Sequence, residues 1–255
     1  MKINSMNSLM KFMLGNHKNC HFRGQCDSTW HLESTINRSV KTNPVLTGRE
    51  LTAEKALIDA YNKSAHLYDR GYESFKGKKF ATLTYIQHHG APTRLLDLTS
   101  SKYIALFFAF DNVDMSSKNN YVRIWYFNTS ELLKKTAALT AITDTKTIYS
   151  DFENIWETQI EQNNKEAIYL LVPEINSQRS HIQKGAFICS GIINKTVHEI
   201  YERHYKDVIS FIDIHKNLYK EVYFMLNSMN ISHKTLYGGI EGFSKDLQNN
   251  LNLLS

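Results

Sequence analysis

Gln87-His88-His89-Gly90-Ala91-Pro92-Thr93-Arg94-Leu95-Leu96-Asp97-Leu98-Thr99 is the densest run of polar and special-geometry residues in the chain. Before it, Phe80–His88 carries Leu83 and Ile86 on one face, which predicts a helix. Gly90-Ala91-Pro92 stops that helix, because a proline disfavours helical backbone in the residue before it. After it, Thr99, Ser100 or Ser101 caps a further helix over Lys102–Asp111. Ile104, Ala105, Leu106, Phe107, Phe108, Ala109 and Phe110 leave that helix without a polar face, so it is expected to be buried. The intervening Arg94–Leu98 is short and mixed in character. The stretch is therefore expected as a loop at a helix N-terminus, where backbone N–H groups and the positive dipole end suit a phosphate or carboxylate. Arg94 would add a bidentate anion clamp, and Asp97 would orient Arg94 or a histidine. A buried Arg94–Asp97 ion pair that merely shapes the loop fits the same residues.

Working outward, Leu9–Leu14 predicts a short helix ended by Gly15, and His21–Gln25 a short strand. Apolar residues from Leu51 to Leu67 recur at helical spacing, giving an amphipathic helix over Glu50–Tyr72. Strands are expected at Tyr121–Phe127, Ala167–Val172, Gly185–Cys189 and Val208–Ile214, where β-branched and aromatic residues concentrate. Thr129 caps a helix through Leu139, Asn217–Met229 forms another and Ile240–Leu251 the last; Ala137–Tyr149 is ambiguous. Helices and strands intersperse without a regular βαβ rhythm. The expectation is an α+β fold: one mixed domain over 20–255, a central sheet with surrounding helices, and an N-terminal helical extension over 1–19.

With 255 residues and 42% hydrophobic side chains, the chain is large enough to bury a core without a disulfide or metal staple. Its apolar runs fall far short of the ~20 residues a membrane span needs, and no secretory signal is read at the N-terminus. Cys20, Cys26 and Cys189 form neither a CxxC pair nor a Cys/His ligand array, which points to a reduced, cytoplasmic setting. The net charge of +5 permits a polyanionic partner but comes largely from scattered lysines in a lysine- and asparagine-rich chain. Only eight arginines occur: Arg23, Arg38, Arg49, Arg70, Arg94, Arg123, Arg179 and Arg203. Where lysine is abundant, an arginine is more often held by a fork-shaped hydrogen-bonding task that an ammonium cannot perform.

Several chemistries find no footing. His88 and His89 are adjacent, so their side chains diverge by about 100° on a helix and cannot share an ion; no zinc-ligand spacing occurs, and no metal is expected. GxSxG, Walker and Rossmann patterns are lacking. Basic runs such as Lys76–Lys79 are too brief for a nucleic-acid stripe.

Phe22-Arg23-Gly24-Gln25, the long central stretch from Tyr85 to Thr99, and Ala105-Leu106-Phe107-Phe108-Ala109 together resemble the FRG-domain family, named for its N-terminal motif. Gln183-Lys184-Gly185-Ala186-Phe187 and Leu236–Leu247 are similar to two later elements of that family. Leu98 departs from it where tryptophan is usual, as does Tyr237-Gly238-Gly239-Ile240 where Pro-Asp is usual. The likeness spans roughly residues 20–250, making 20–255 an FRG domain. It implies a bacterial or phage protein, with an association to phage defence or toxin-like effectors.

The motif order is also similar to the Arg–Ser/Thr–Glu/Gln plan of ADP-ribosyltransferases: Arg23 on an early strand, Thr93 or Thr99 mid-chain, Gln183 late. This resemblance implies an ADP-ribosyltransferase-like fold and NAD as substrate. Arg23, His88, Asp97 and Gln183 would then be catalytic, with Gln25, Gln87, His89, Thr93, Arg94 and Thr99 binding the ligand. Because Gln183 is a neutral amide, Asp97 or His88 would have to supply the charge or base that a glutamate would give. The alternative is a non-catalytic module that captures a nucleotide, another phosphate-bearing ligand or a nucleic-acid end. The protein or nucleic-acid acceptor is left open.

Overall fold

The computed structural model describes residues 1–68, 77–140, 142, 151–172 and 182–253, with side chains to residue 248. In chain order the strands are β1 (Lys2–Ile3), β2 (Cys20–Gln25), β3 (Leu96–Thr99), β4 (Tyr121–Asn128), β5 (Ile168–Leu171), β6 (Gly185–Ser190) and β7 (Ile209–His215). The helices are α1 (Met6–Leu14), α2 (Thr35–Thr42), α3 (Glu50–Ser64), α4 (Lys79–His88), α5 (Lys102–Phe110), α6 (Thr129–Thr140), α7 (Phe152–Ile155), α8 (Val197–Ile200), α9 (Tyr219–Ser228), α10 (His233–Tyr237) and α11 (Gly239–Leu253). The fold is α+β, as the interspersed pattern predicts. Arg70 and Arg179, and the end of the helix expected to Tyr72, lie outside the described residues.

The strands make one mixed sheet in the order β1-β7-β4-β2-β3-β6-β5. Only β1 and β7 run parallel; the other neighbours are antiparallel. The first residues are thus part of the sheet, and α1 buries Leu9, Phe12 and Met13. Along β4, Val122 and Ile124 join one apolar cluster while Trp125 and Phe127 join another. Along β6, Ala186 and Ile188 join that second cluster and Phe187 and Cys189 a third. This period of two is the pleat of a sheet covered on both faces.

The joint between β2 and β3 positions the site. These strands share a single registered pair, Phe22 opposite Thr99, whereas β4 and β7 share seven. The sheet opens there into a cleft. Phe22, Leu98 and Phe187, one from each apolar cluster, all line it.

Two glycines of the sequence motifs have physical roles. A Cβ on Gly24 would stand 2.1 Å from the Ala105 carbonyl oxygen and 2.4 Å from the Ala109 nitrogen, so α5 packs directly on the β2 backbone. Gly90 has φ +90° and ends α4. Its N–H donates to the Gln87 carbonyl at 2.9 Å and that of Ala91 to the Ile86 carbonyl at 3.0 Å, a Schellman stop.

The central stretch differs from its expected form. It runs helix end, turn, then β3, and that strand separates the turn from α5. The α5 N-terminus is capped by Ser101, whose hydroxyl accepts from the Ile104 N–H at 3.4 Å. Leu96 and Leu98 point into the core from a strand too short for its alternation to register as one. The helix α3 also turns inward a face other than the expected one. It buries Glu50, Glu54 and Ile58, while Ala56 and Ala60, expected on the apolar face, are exposed.

Candidate functional site

The cleft encloses about 500 Å³, within the size range of small-molecule sites. Of the ten residues singled out from the sequence, Arg23, Gln87, His88, Asp97, Thr99 and Gln183 line it; Gln25, His89, Thr93 and Arg94 do not. They come from β2, the end of α4, β3 and the turn before β6.

Asp97 is the exposed carboxylate of the wall. Its Oδ1 accepts from Gln87 Nε2 at 2.8 Å, while Gln87 Oε1 accepts from the fully buried Thr93 hydroxyl. Thr93 Oγ1 in turn accepts from the Leu95 N–H at 3.2 Å. This chain fixes both ends of the Gln87 amide and thereby aims the Asp97 carboxylate. Thr93 acts from behind the wall.

Arg23 reaches across the opened joint. Its Nη1 donates to the Asp97 carbonyl oxygen at 2.8 Å, substituting a side chain for the backbone ladder that β2 and β3 lack there. Nε of Arg23 is buried and meets no hydrogen-bond partner among the described residues. Burial lowers its guanidinium pKa from the ordinary value, an effect the nearby Asp97 carboxylate opposes. The guanidinium therefore brings a positive charge to the cleft wall, while its Nε–H stays buried behind it.

Arg94 takes a different place from the expected anion clamp. It is 2% exposed, and its Nε donates to both oxygens of Glu54 at 2.8 and 2.9 Å, with Nη2 adding a bond at 2.5 Å. Its guanidinium also lies 5.2 Å from the Trp156 ring centre. The partner is Glu54 of α3, not Asp97.

Thr99 Oγ1 donates to the Gln183 carbonyl at 2.7 Å, and Gln183 Nε2 donates to the Leu236 carbonyl at 3.1 Å. Gln183 thus ties the cleft to α10. Gln25 is buried; its Oε1 accepts from Trp125 Nε1 at 2.6 Å and its Nε2 donates to the His31 carbonyl at 3.1 Å. His88 faces the cleft with its ring 6.4 Å from that of Phe187, and His89 is exposed beside Tyr85 at the α4 end.

Sequence reasoning missed Trp30, Phe108, Asp111 and Tyr237, which also line the cleft. Asp111 is committed internally: Oδ1 meets His233 Nε2 at 2.6 Å and Oδ2 accepts from the Tyr237 hydroxyl at 2.9 Å. Cys26 sits at the same end, its thiol donating to the Asp111 carbonyl at 2.7 Å. Burial first, and the Asp111 charge second, push that thiol up to about 11, so it is a poor nucleophile. Among the described residues no group of three or more His, Cys, Asp or Glu side chains is arranged to hold a metal ion.

Asp97, with Arg23 across from it and the Gln87 amide behind it, sits in the part of the chain that the family comparison selects: residues 18–118 match the model of the FRG domain. The chain carries an FRG domain. The matched segment runs from before β2 to beyond α5, and so includes Arg23, Gly24, Gln87, Asp97 and Thr99. Gln183 and Tyr237 complete the cleft from outside it. Comparisons with the curated proteins and with the solved structures each gave no match. In FRG-domain terms, the arginine of the name motif bridges the open joint and the glycine after it admits α5. No helix among the described residues is long and apolar enough to cross a membrane.

Proposed function

We propose that the FRG-domain cleft binds a nucleotide-type small molecule and acts on NAD as an ADP-ribosyltransferase-like enzyme. The observation that carries this reading is the Asp97 carboxylate, exposed on the wall of a 500 Å³ cleft and aimed by Gln87. Arg23, in the cleft wall, supplies positive charge for ligand oxygens. In the reaction, the bond between the ribose C1′ and the nicotinamide nitrogen breaks, and its electron pair leaves with neutral nicotinamide. An acceptor hydroxyl, amine or water bonds to C1′ and gives up a proton. Asp97 stabilises the oxocarbenium-like charge at C1′ and takes that proton. Gln183, a neutral amide held by the Leu236 carbonyl, orients and does not exchange protons.

The experiment is nicotinamide release from NAD by the purified chain, with bacterial lysate as acceptor, compared with Arg23→Ala. Release that depends on Arg23 supports the enzyme; no release under any acceptor condition removes it. A second reading, nucleotide capture without chemistry, is favoured by the neutrality and engagement of Gln183. Calorimetric binding of NAD without turnover would select it. A role in phage defence belongs to the same proposal. Induced expression in a bacterial host should deplete NAD and slow growth, and Arg23→Ala should abolish both effects.

A further inference from the structure

Besides the His88 imidazole, five Phe, Tyr or Trp rings line the cleft, and four of the five have their surfaces committed. Phe22 is 2% and Phe187 3% exposed. Phe108 packs edge-on against Phe107, with ring centres 5.5 Å apart. Tyr237 carries the His233 ring 5.6 Å away and nearly parallel, and Lys245 Nζ 4.4 Å from its centre. Trp30 is the exception at 54% exposed.

Its backbone is pinned on both sides. Before it, the Asp27 carboxylate accepts from the Thr29 N–H at 2.8 Å and the Thr29 hydroxyl at 2.6 Å, while the Asp27 carbonyl accepts from the Trp30 N–H at 3.2 Å. After it, Gln25 Nε2 holds the His31 carbonyl and the His198 N–H holds that of Leu32 at 3.0 Å. A large apolar ring left open to water on a fixed loop costs solvation that a flat partner recovers, and little order remains to be lost on binding.

We propose that Trp30 is the stacking surface for the heteroaromatic ring of the cleft's ligand, the purine or nicotinamide ring of a nucleotide. This rests on the reading of the cleft as a nucleotide site and assigns its ring-binding residue.

Trp125 and Trp156 are 0% and 1% exposed, so the iodide-quenchable tryptophan emission belongs to Trp30. The test titrates the whole chain with AMP, nicotinamide mononucleotide and ribose 5-phosphate, reading that emission and, in parallel, calorimetric affinity. At least one base-bearing probe should quench the emission saturably, and ribose 5-phosphate should not. Trp30→Ala should weaken binding by about ten- to a hundredfold with an unchanged melting temperature, and Trp30→Phe should retain most of the affinity. Calorimetric binding with unchanged emission, and with equal affinity in Trp30→Ala, overturns the assignment while leaving the nucleotide site standing. Stacking without nicotinamide release from NAD supports it and leaves the enzyme reading to fail alone. No binding of any of the three probes removes both.

Discussion

Glu54 lies forty residues before Arg94 and accepts three of its guanidinium hydrogen bonds inside the core, both side chains being almost wholly buried. Breaking such a pair from one side leaves an uncompensated buried charge, which costs about 3–5 kcal/mol. Arg94→Ala and Glu54→Ala should each lose about that much of a total stability that for a domain is about 5–15 kcal/mol. The joint replacement Glu54→Leu with Arg94→Met should recover much of it. Urea denaturation checks this; an unchanged midpoint in Arg94→Ala would contradict the placement.

Gly24→Ala should destabilise by about 1–3 kcal/mol, because its Cβ meets the backbone of α5, which cannot give way as a flexible side chain would. Gly90→Ala meets open space but must hold φ near +90°, at a cost of about 1–2 kcal/mol. Thermal melting of both variants distinguishes the causes: a smaller α5 residue, Ala105→Gly, should not relieve Gly24→Ala, since the clash is with backbone atoms.

The thiols give a pH signature. Burial pushes Cys26 up to about 11 and Cys189 up to about 12. At pH 8 their thiolates are rare, so iodoacetamide should leave both unmodified in the folded chain and label them after unfolding. The unfolded chain ionises these thiols near 8.5, well below the folded values. Stability from the neutral thiols is therefore complete below that pH and is lost as pH rises toward 11 and 12. Mass spectrometry of alkylated peptides and melting between pH 8 and 11 read the two effects.

The boundaries of most elements were legible because each has a local cause. Gly90 and Pro92 punctuate α4, and the apolar run of α5 admits only burial. What was not legible was non-local. Glu54 reads as a solvent-facing helix residue until Arg94 is brought to it, so the alanines of α3 drew the wrong face. β3 is four residues long and carries Asp97, so its alternation is brief. The turn pair α7 and Trp156–Ile160 escaped notice although Phe152, Ile155, Trp156 and Ile160 keep helical spacing. In the site, Arg23, Asp97 and Gln183 were found through motif context. Trp30 was passed over in a polar run, where a lone tryptophan is itself a signal. Asp111 and Tyr237 meet only through the folded packing of α5 against α10.

Whether Asp97 is the catalytic carboxylate is decided by nicotinamide release from Asp97→Asn. That variant keeps the shape of the wall and exchanges the exposed carboxylate for a neutral amide, so it should stay folded, with stability lowered by no more than about 1 kcal/mol. The parent should release nicotinamide from NAD, and Asp97→Asn should do so at least a hundredfold more slowly. Equal release by the two proteins, or none by the parent with any acceptor, would contradict that role.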